Sequence, residues 1–238
     1  MVDKKRFVAK ACQISDYIFS DLVKSVYSFR IEKDIDSFIR SEAKRRKVKL
    51  AFPPIVASGK NAANPHHKPN NSRLQGFVVV DFGVKFDGFC SDMTRMLFFG
   101  KPSKKELDVY ELLLKVQEKA IDELSVGKKY FVIDKNVRTR LGKYKKFFIH
   151  SLGHGVGKKV HEKPVIASVF RKRKNVTVKI LKRIEEIKNT KIKAGDIVTI
   201  EPGIYIKNKF GLRIEDTVVI KKNKVEVLTN SPKYLIRV

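Results

Sequence analysis

Four carboxylates and one imidazole occur in the order Asp81, Asp92, His154, Glu201 and Glu215, each set in apolar or glycine-rich chain. Asp81 and Asp92 lie in VVVDFGVKFDGFCSDMTR, where a β-branched run ends at Asp81 and a second strand-like stretch carries Asp92. His154 lies in HSLGHGVGKKVHEKP, Glu201 in VTIEPGIYI and Glu215 in GLRIEDTVVI. Taken singly, each acid reads as a solvated or turn residue, as most Asp and Glu are. Flanks such as VVVD and VTIE instead place the acids on buried strands, where an unpaired carboxylate is costly. Converging carboxylates repel and cannot all stay ionised without cations among them. Oxygen donors with a single imidazole suit hard or borderline divalent ions, namely Mn, Co, Zn or Fe(II). The pattern therefore points to a dinuclear site of the kind that activates water for hydrolysis.

The five histidines, His66, His67, His150, His154 and His161, all fall in two short segments around these acids. His66 follows Gly59 of the IVASG phrase by seven residues, His161 follows His154 by seven, and His150 precedes it by four. Scattered core or surface histidines would not cluster in this way. His67 is expected to be an exposed neighbour without a role of its own.

Coarse periodicity supplies the elements that must hold these side chains. Residues 4–27 and 32–47 read as amphipathic helices, the second opening on EKDID and closing on a basic run. A long helix over 103–124 is announced by Ser103 and Glu106, spaced as a capping box, and a shorter one covers 131–142. Strands are expected through Met96 and over 147–152, 196–206, 212–220 and 225–229, with turns at Gly211 and the Asn-Lys pairs.

Together these phrases resemble the pita-bread metallopeptidase family, which includes methionine aminopeptidase, aminopeptidase P, prolidase and creatinase. The resemblance extends from Phe52 to Ile220 and includes all five acid and imidazole positions. It implies an α+β fold: a pseudo-twofold antiparallel sheet with helices packed outside and a dinuclear metal site inside. It also implies that Asp92 and Glu215 bridge two divalent ions, that Asp81 completes one site, and that His154 and Glu201 complete the other. Glu201, His66 and His161 are the implied catalytic residues. His66, approaching the scissile bond, His161, contacting the carbonyl, and His150 and Arg213 are the implied substrate contacts. EPGIYI, GLRIED, SDMTR, His150 and Arg213 look like the proline-specific branch. The implied function is removal of N-terminal residues from peptides with a free N-terminus, by an Xaa-Pro aminopeptidase or Xaa-Pro dipeptidase. Methionine aminopeptidase is the alternative within the family. A non-catalytic module binding nucleic acid, ribosomes or histones is the alternative of another class, and its expected mark would be lost ligands.

At 238 residues the chain reads as a single catalytic domain, 1–238, with no separate N-terminal domain. No stretch is apolar enough to span a bilayer, so no membrane contact is expected. The charged N-terminus does not read as a secretory signal. Cys12 and Cys90 form no disulfide framework or metal spacing, and Cys90 should be buried beside Asp92 without a catalytic role. A cytoplasmic enzyme is expected. Lys and Arg total 52 against 25 Asp and Glu, a net +27, so nonspecific, salt-dependent contact with nucleic acid or ribosomes is expected of the surface. The basic residues are densest in an insertion at 168–190, relative to the resembled family. There Val176, Ile180, Ile184 and Ile187 form one helical stripe, and Arg171–Lys174 carries no interleaved aromatics that could stack on bases.

Overall fold

The computed structural model describes residues 3–169 and 177–238. Two helices come first, α1 (Lys4–Lys24) and α2 (Glu32–Arg45). Then follow β1 (Lys49–Leu50), β2 (Ile55–Ser58), β3 (Gly76–Phe82), β4 (Val84–Phe86), β5 (Phe89–Cys90) and β6 (Met93–Phe99). Helices α3 (Lys104–Asp122) and α4 (Tyr130–Arg140) lead to β7 (Gly153–Gly155) and β8 (Glu162–Ile166). Helix α5 (Val178–Asn189) precedes β9 (Ile197–Ile200), β10 (Gly203–Ile206), β11 (Phe210–Arg213), β12 (Asp216–Ile220), β13 (Val225–Val227) and β14 (Ile236–Arg237). No helix among the described residues is long and apolar enough to cross a membrane.

Among the described residues, β1, β4 and β5 form one small sheet and β10 and β11 another, while the two larger sheets run β14-β6-β3-β2 and β13-β12-β9-β7-β8. An isolated bridge between Thr94 of β6 and Glu215 joins them. Strand β3 explains why its sequence is a continuous apolar run. Val78, Val80 and Phe82 enter the core beneath α1 and α2, while Phe77 and Val79 enter the core beneath α3 and α4. A strand buried on both faces needs no polar alternation. By the same alternation, Asp81 falls on the face of Phe77 and Val79, between the two halves. This is the pita-bread arrangement expected, with helices outside and the acids inside.

The helix starts follow their caps. Asp3 accepts from Arg6 N at 3.1 Å at the head of α1. Ser103 and Glu106 form the expected capping box on α3, with Ser103 N donating to Glu106 Oε2 at 2.7 Å. Glycine at 153 and 155 is required by crowding around β7. A Cβ at Gly153 would lie 2.0 Å from Thr199 O, and one at Gly155 would lie 2.1 Å from Lys163 O.

Several expected boundaries move. No strand forms over 147–152: a 3₁₀ stretch ends at Phe147, and the strand begins only at Gly153. Arg138 is the cause, because its guanidinium donates to the carbonyls of Phe148 and His150, both at 2.7 Å, and so takes acceptors that a ladder would use. The expected strand 196–206 is split at Glu201–Pro202, where proline has no N–H to give. The expected strand 212–220 is split at Ile214–Glu215. Helix α1 ends at Lys24 and passes into a short 3₁₀ turn at Val26–Ser28.

Within the segment 168–190, Ile180, Ile184 and Ile187 are half-buried on α5, in keeping with the expected stripe. The helix lies against α4 and β8. Val176 and Arg171–Lys174 lie outside the described residues.

Candidate metal centre and catalytic cleft

Each candidate ligand sits at a strand or a strand end. Asp81 is the penultimate residue of β3, Asp92 immediately precedes β6, His154 is the middle of β7, Glu201 follows β9 and Glu215 precedes β12. Asp81, Asp92, His154 and Glu215 are buried, and Glu201 is nearly so. All five line one cavity of about 960 Å³, together with His66, His150, His161 and Arg213. The structure thus brings every expected site residue to one place.

The donor atoms of Asp92, His154 and Glu215 lie within 4.8 Å of one another. His154 Nε2 is 3.6 Å from Asp92 Oδ2 and 3.4 Å from Glu201 Oε1. These spacings are long for hydrogen bonds but suit donors that share an ion, since ligands about 2.1 Å from a metal stand roughly 3–3.5 Å apart. His154 Nδ1 is 3.2 Å from Gly155 O, so a proton there leaves the Nε2 lone pair facing the acids. Asp81 Oδ1 is buried with no hydrogen-bond partner among the described residues. An orphaned carboxylate oxygen beside three other acids is what a cation cradle requires.

Electrostatics agree. Burial, then the charges of Glu215, Asp81 and Glu201, push Asp92 well above the ordinary carboxylate range. Burial and Glu215 do the same to Glu201, and burial with Asp81 raises Glu215 to about 8. Burial also raises Asp81, against the pull of Arg213. Burial and His161 lower His154 to about 4, so its imidazole is neutral and able to donate a lone pair at physiological pH.

Arg213 donates to Thr94 Oγ1 at 3.0 Å, to Tyr205 OH at 2.8 Å and to Asp81 Oδ2. Its guanidinium therefore ties a metal-ligand candidate to the cavity wall. His150 Nε2 meets the same Tyr205 hydroxyl at 2.9 Å, and burial with Arg213 lowers this imidazole to about 3. His161 is exposed on the cavity, its ring 4.2 Å from that of His154 at 66°. His66 is exposed and lines the same cavity. Cys90 is buried, as expected, with its thiol toward Lys158 O, and Cys12 is buried too.

Sequence reasoning missed the residues that bind these groups together. Tyr205 links His150 to Arg213. Its signal was a polar-tipped aromatic in the buried EPGIYI strand, which needs a partner for its hydroxyl. Thr94 donates to Glu215 Oε2 at 2.6 Å, and Thr199 Oγ1 accepts from His154 N at 3.1 Å. His67 is a correction. Its side chain is only 12% exposed and its Nε2 lies 2.7 Å from Oε2 of the fully buried Glu32, so it is neither exposed nor incidental.

Comparison with known proteins shows the family and the fold. The model of metallopeptidase family M24 matches residues 6–222. A curated Xaa-Pro dipeptidase of Pyrococcus horikoshii is 33% identical over 237 residues, which are 97% of this chain and 62% of that protein. The solved X-Pro aminopeptidase of Thermotoga maritima superposes with a TM-score of 0.87 at 31% identity, covering 99% of this chain and 63% of that one. A prolidase from Thermococcus sibiricus superposes equally well, with a TM-score of 0.87 at 35% identity over 99% of this chain and 61% of that one. The chain spans about three fifths of the length of these relatives.

Proposed function

The chain belongs to metallopeptidase family M24, and we propose that it is a dinuclear-metal exopeptidase that cleaves the N-terminal Xaa-Pro bond of peptides. The observation that carries this reading is the convergence of Asp81, Asp92, His154, Glu201 and Glu215 on one cavity, with an orphaned carboxylate oxygen among them. Asp81, Asp92, His154, Glu201 and Glu215 would hold the two ions, with Asp92, His154 and Glu215 offering donor atoms within 4.8 Å of one another. When bound, two divalent ions supply neutralisation of the acids, an acidified water and polarisation of the scissile carbonyl. Mn, Co, Zn and Fe(II) all suit this donor set.

The protein's own groups do the rest. The acidic floor attracts the free amine of a substrate and so favours chain ends. Glu201 accepts the proton of the attacking water and returns it toward the leaving nitrogen, which departs as an amine. His161, open to the cavity, donates to the carbonyl oxygen as charge develops on it. His66 faces the leaving side from its loop. Arg213, Tyr205 and His150 make one hydrogen-bonded wall. Phe52, Pro53 and Pro54 make an apolar one, which suits a proline ring.

Support for Xaa-Pro specificity comes from the named relatives and from this wall. The test is a peptide panel with metal-loaded protein. Ala-Pro and longer Ala-Pro peptides should be cleaved at least about tenfold faster than Met-Ala, a difference of about 1.4 kcal/mol in transition-state binding. Faster cleavage of Met-Ala would replace this reading with the methionine-specific one.

A further inference from the structure

Glu32 begins α2 with its carboxylate fully buried, far along the chain from every metal-ligand candidate. It is not left alone there. Oε1 accepts from Ser58 N at 2.8 Å and Asn61 Nδ2 at 2.9 Å, while Oε2 accepts from Asn70 N at 3.0 Å and lies 2.7 Å from His67 Nε2. Four polar partners satisfy a buried anion, and the start of a helix favours one electrostatically. With Glu32 ionised, the His67 contact is a donated hydrogen bond, so His67 carries its proton on Nε2.

These partners bracket His66. Ser58 and Asn61 precede it, and His67 and Asn70 follow it. The chain beyond is stitched to the same helix start, because Lys33 N donates to Asn70 O at 3.2 Å and Glu32 N to Ser72 O at 3.0 Å. Among the described residues His66 makes only a local bond, its backbone N–H donating to Asn64 Oδ1 at 3.1 Å, and its ring lines the cavity. Residues 64–70 form no helix or strand, so nothing else regular fixes where that ring points.

We propose that Glu32 and His67 are a positioning pair, a buried carboxylate and its imidazole clamp, that holds the His66 loop against α2 so that His66 meets the substrate. This rests on the peptidase reading of the cavity, since it is there that His66 acts. Glu32 does not line the cavity, whereas His67 lines it beside His66; neither is a metal-ligand candidate, and the pair acts through His66. Removing His67 leaves Glu32 Oε2 with the Asn70 N–H alone, which loosens the segment; it takes one ring from the cavity lining but none of the metal-ligand candidates.

A double-mutant cycle on the metal-loaded full chain, with Ala-Pro as substrate, tests this. His67→Ala should lower kcat by about tenfold through misplacement of His66 and leave KM within about twofold. In a His66→Ala background it should cost nothing further, because the clamp has nothing left to position. His67→Gln, which restores a donor to Glu32, should recover most of the loss. Amide hydrogen exchange is a readout independent of activity: residues 64–70 should exchange at least about tenfold faster in His67→Ala, with the interior of α2 and the bound metal unchanged. Equal losses of kcat in the two backgrounds, or unchanged exchange over 64–70, would overturn the proposal. A wild-type protein that cleaves no peptide would defeat the peptidase reading instead, and the exchange result would then decide the clamp by itself.

Discussion

In the proposed mechanism His161 serves the substrate carbonyl and does not hold metal. Its ring lies against that of His154 yet faces the open cavity. His161→Ala should therefore lower turnover by about 10²–10³, the usual loss for one oxyanion donor, while metal content measured by elemental analysis stays at the wild-type level. Loss of metal along with activity would move His161 into the ligand set. The acids carry a second expectation. Glu215 is raised from its ordinary 4.5 to about 8, and Asp92 and Glu201 are raised in the same direction. For a carboxyl whose folded pKa is raised, the stability present below pH 4.5 is lost as pH rises to and through about 8. Divalent ions remove that loss by compensating the charge, and they bind more tightly as the competing protons leave. Thermal melts should thus show a larger metal-induced rise in Tm at pH 8 than at pH 6. An equal or smaller rise at pH 8 would contradict the assigned cluster.

Among the elements, the joint between β6 and β12 depends on an ion pair away from the cavity. Arg95 and Asp216 are buried, with Nη2 2.7 Å from Oδ1. Gln117 of α3 donates to Asp216 Oδ2 at 2.8 Å and Thr229 to Oδ1 at 2.9 Å, while Arg95 Nε reaches Ser231 O at 3.0 Å. Although burial opposes ionisation, Arg95 and Lys233 hold the Asp216 carboxyl below its ordinary range. Its contribution is therefore present above pH 3.8 and lost as pH falls through the lower folded value. Arg95→Ala leaves the carboxylate buried without its main partner and should cost about 3–5 kcal/mol in urea unfolding. A loss below about 1 kcal/mol would show the joint to be held by packing alone.

The elements also show what a linear reading can reach. Asp81, Asp92, His154, Glu201 and Glu215 were legible because each announces itself locally, as an acid or imidazole in apolar or glycine-rich chain. The Ser103 cap was legible for the same reason. The strand expected at 147–152 failed because its carbonyls are taken by Arg138, which lies ten and twelve residues earlier on another element. Glu32 was invisible because its partners lie 26 to 38 residues along the chain and include two backbone N–H groups. His67 was misread with it, since only the buried carboxylate gives that ring a purpose.

At the scale of the molecule, the cavity is where two halves of one architecture meet. Asp81 and Asp92 come from the sheet backed by α1 and α2, whereas His154, Glu201 and Glu215 come from the segments around the other sheet. A net charge of +27 surrounds this acidic centre, so the acids concentrate divalent cations against the sign of the whole protein. The measurement that reaches the central claim most directly is stoichiometric reconstitution. Metal-stripped protein is titrated separately with Mn, Co, Zn and Fe(II) while Ala-Pro hydrolysis is followed, alongside Asp92→Ala and Glu215→Ala. The wild type should be inactive when stripped and should regain activity that saturates at about two ions per chain, the count of a two-metal site. Both variants should bind fewer ions and stay inactive. Hydrolysis by the stripped protein, or full activity of either variant with two ions bound, would contradict the account.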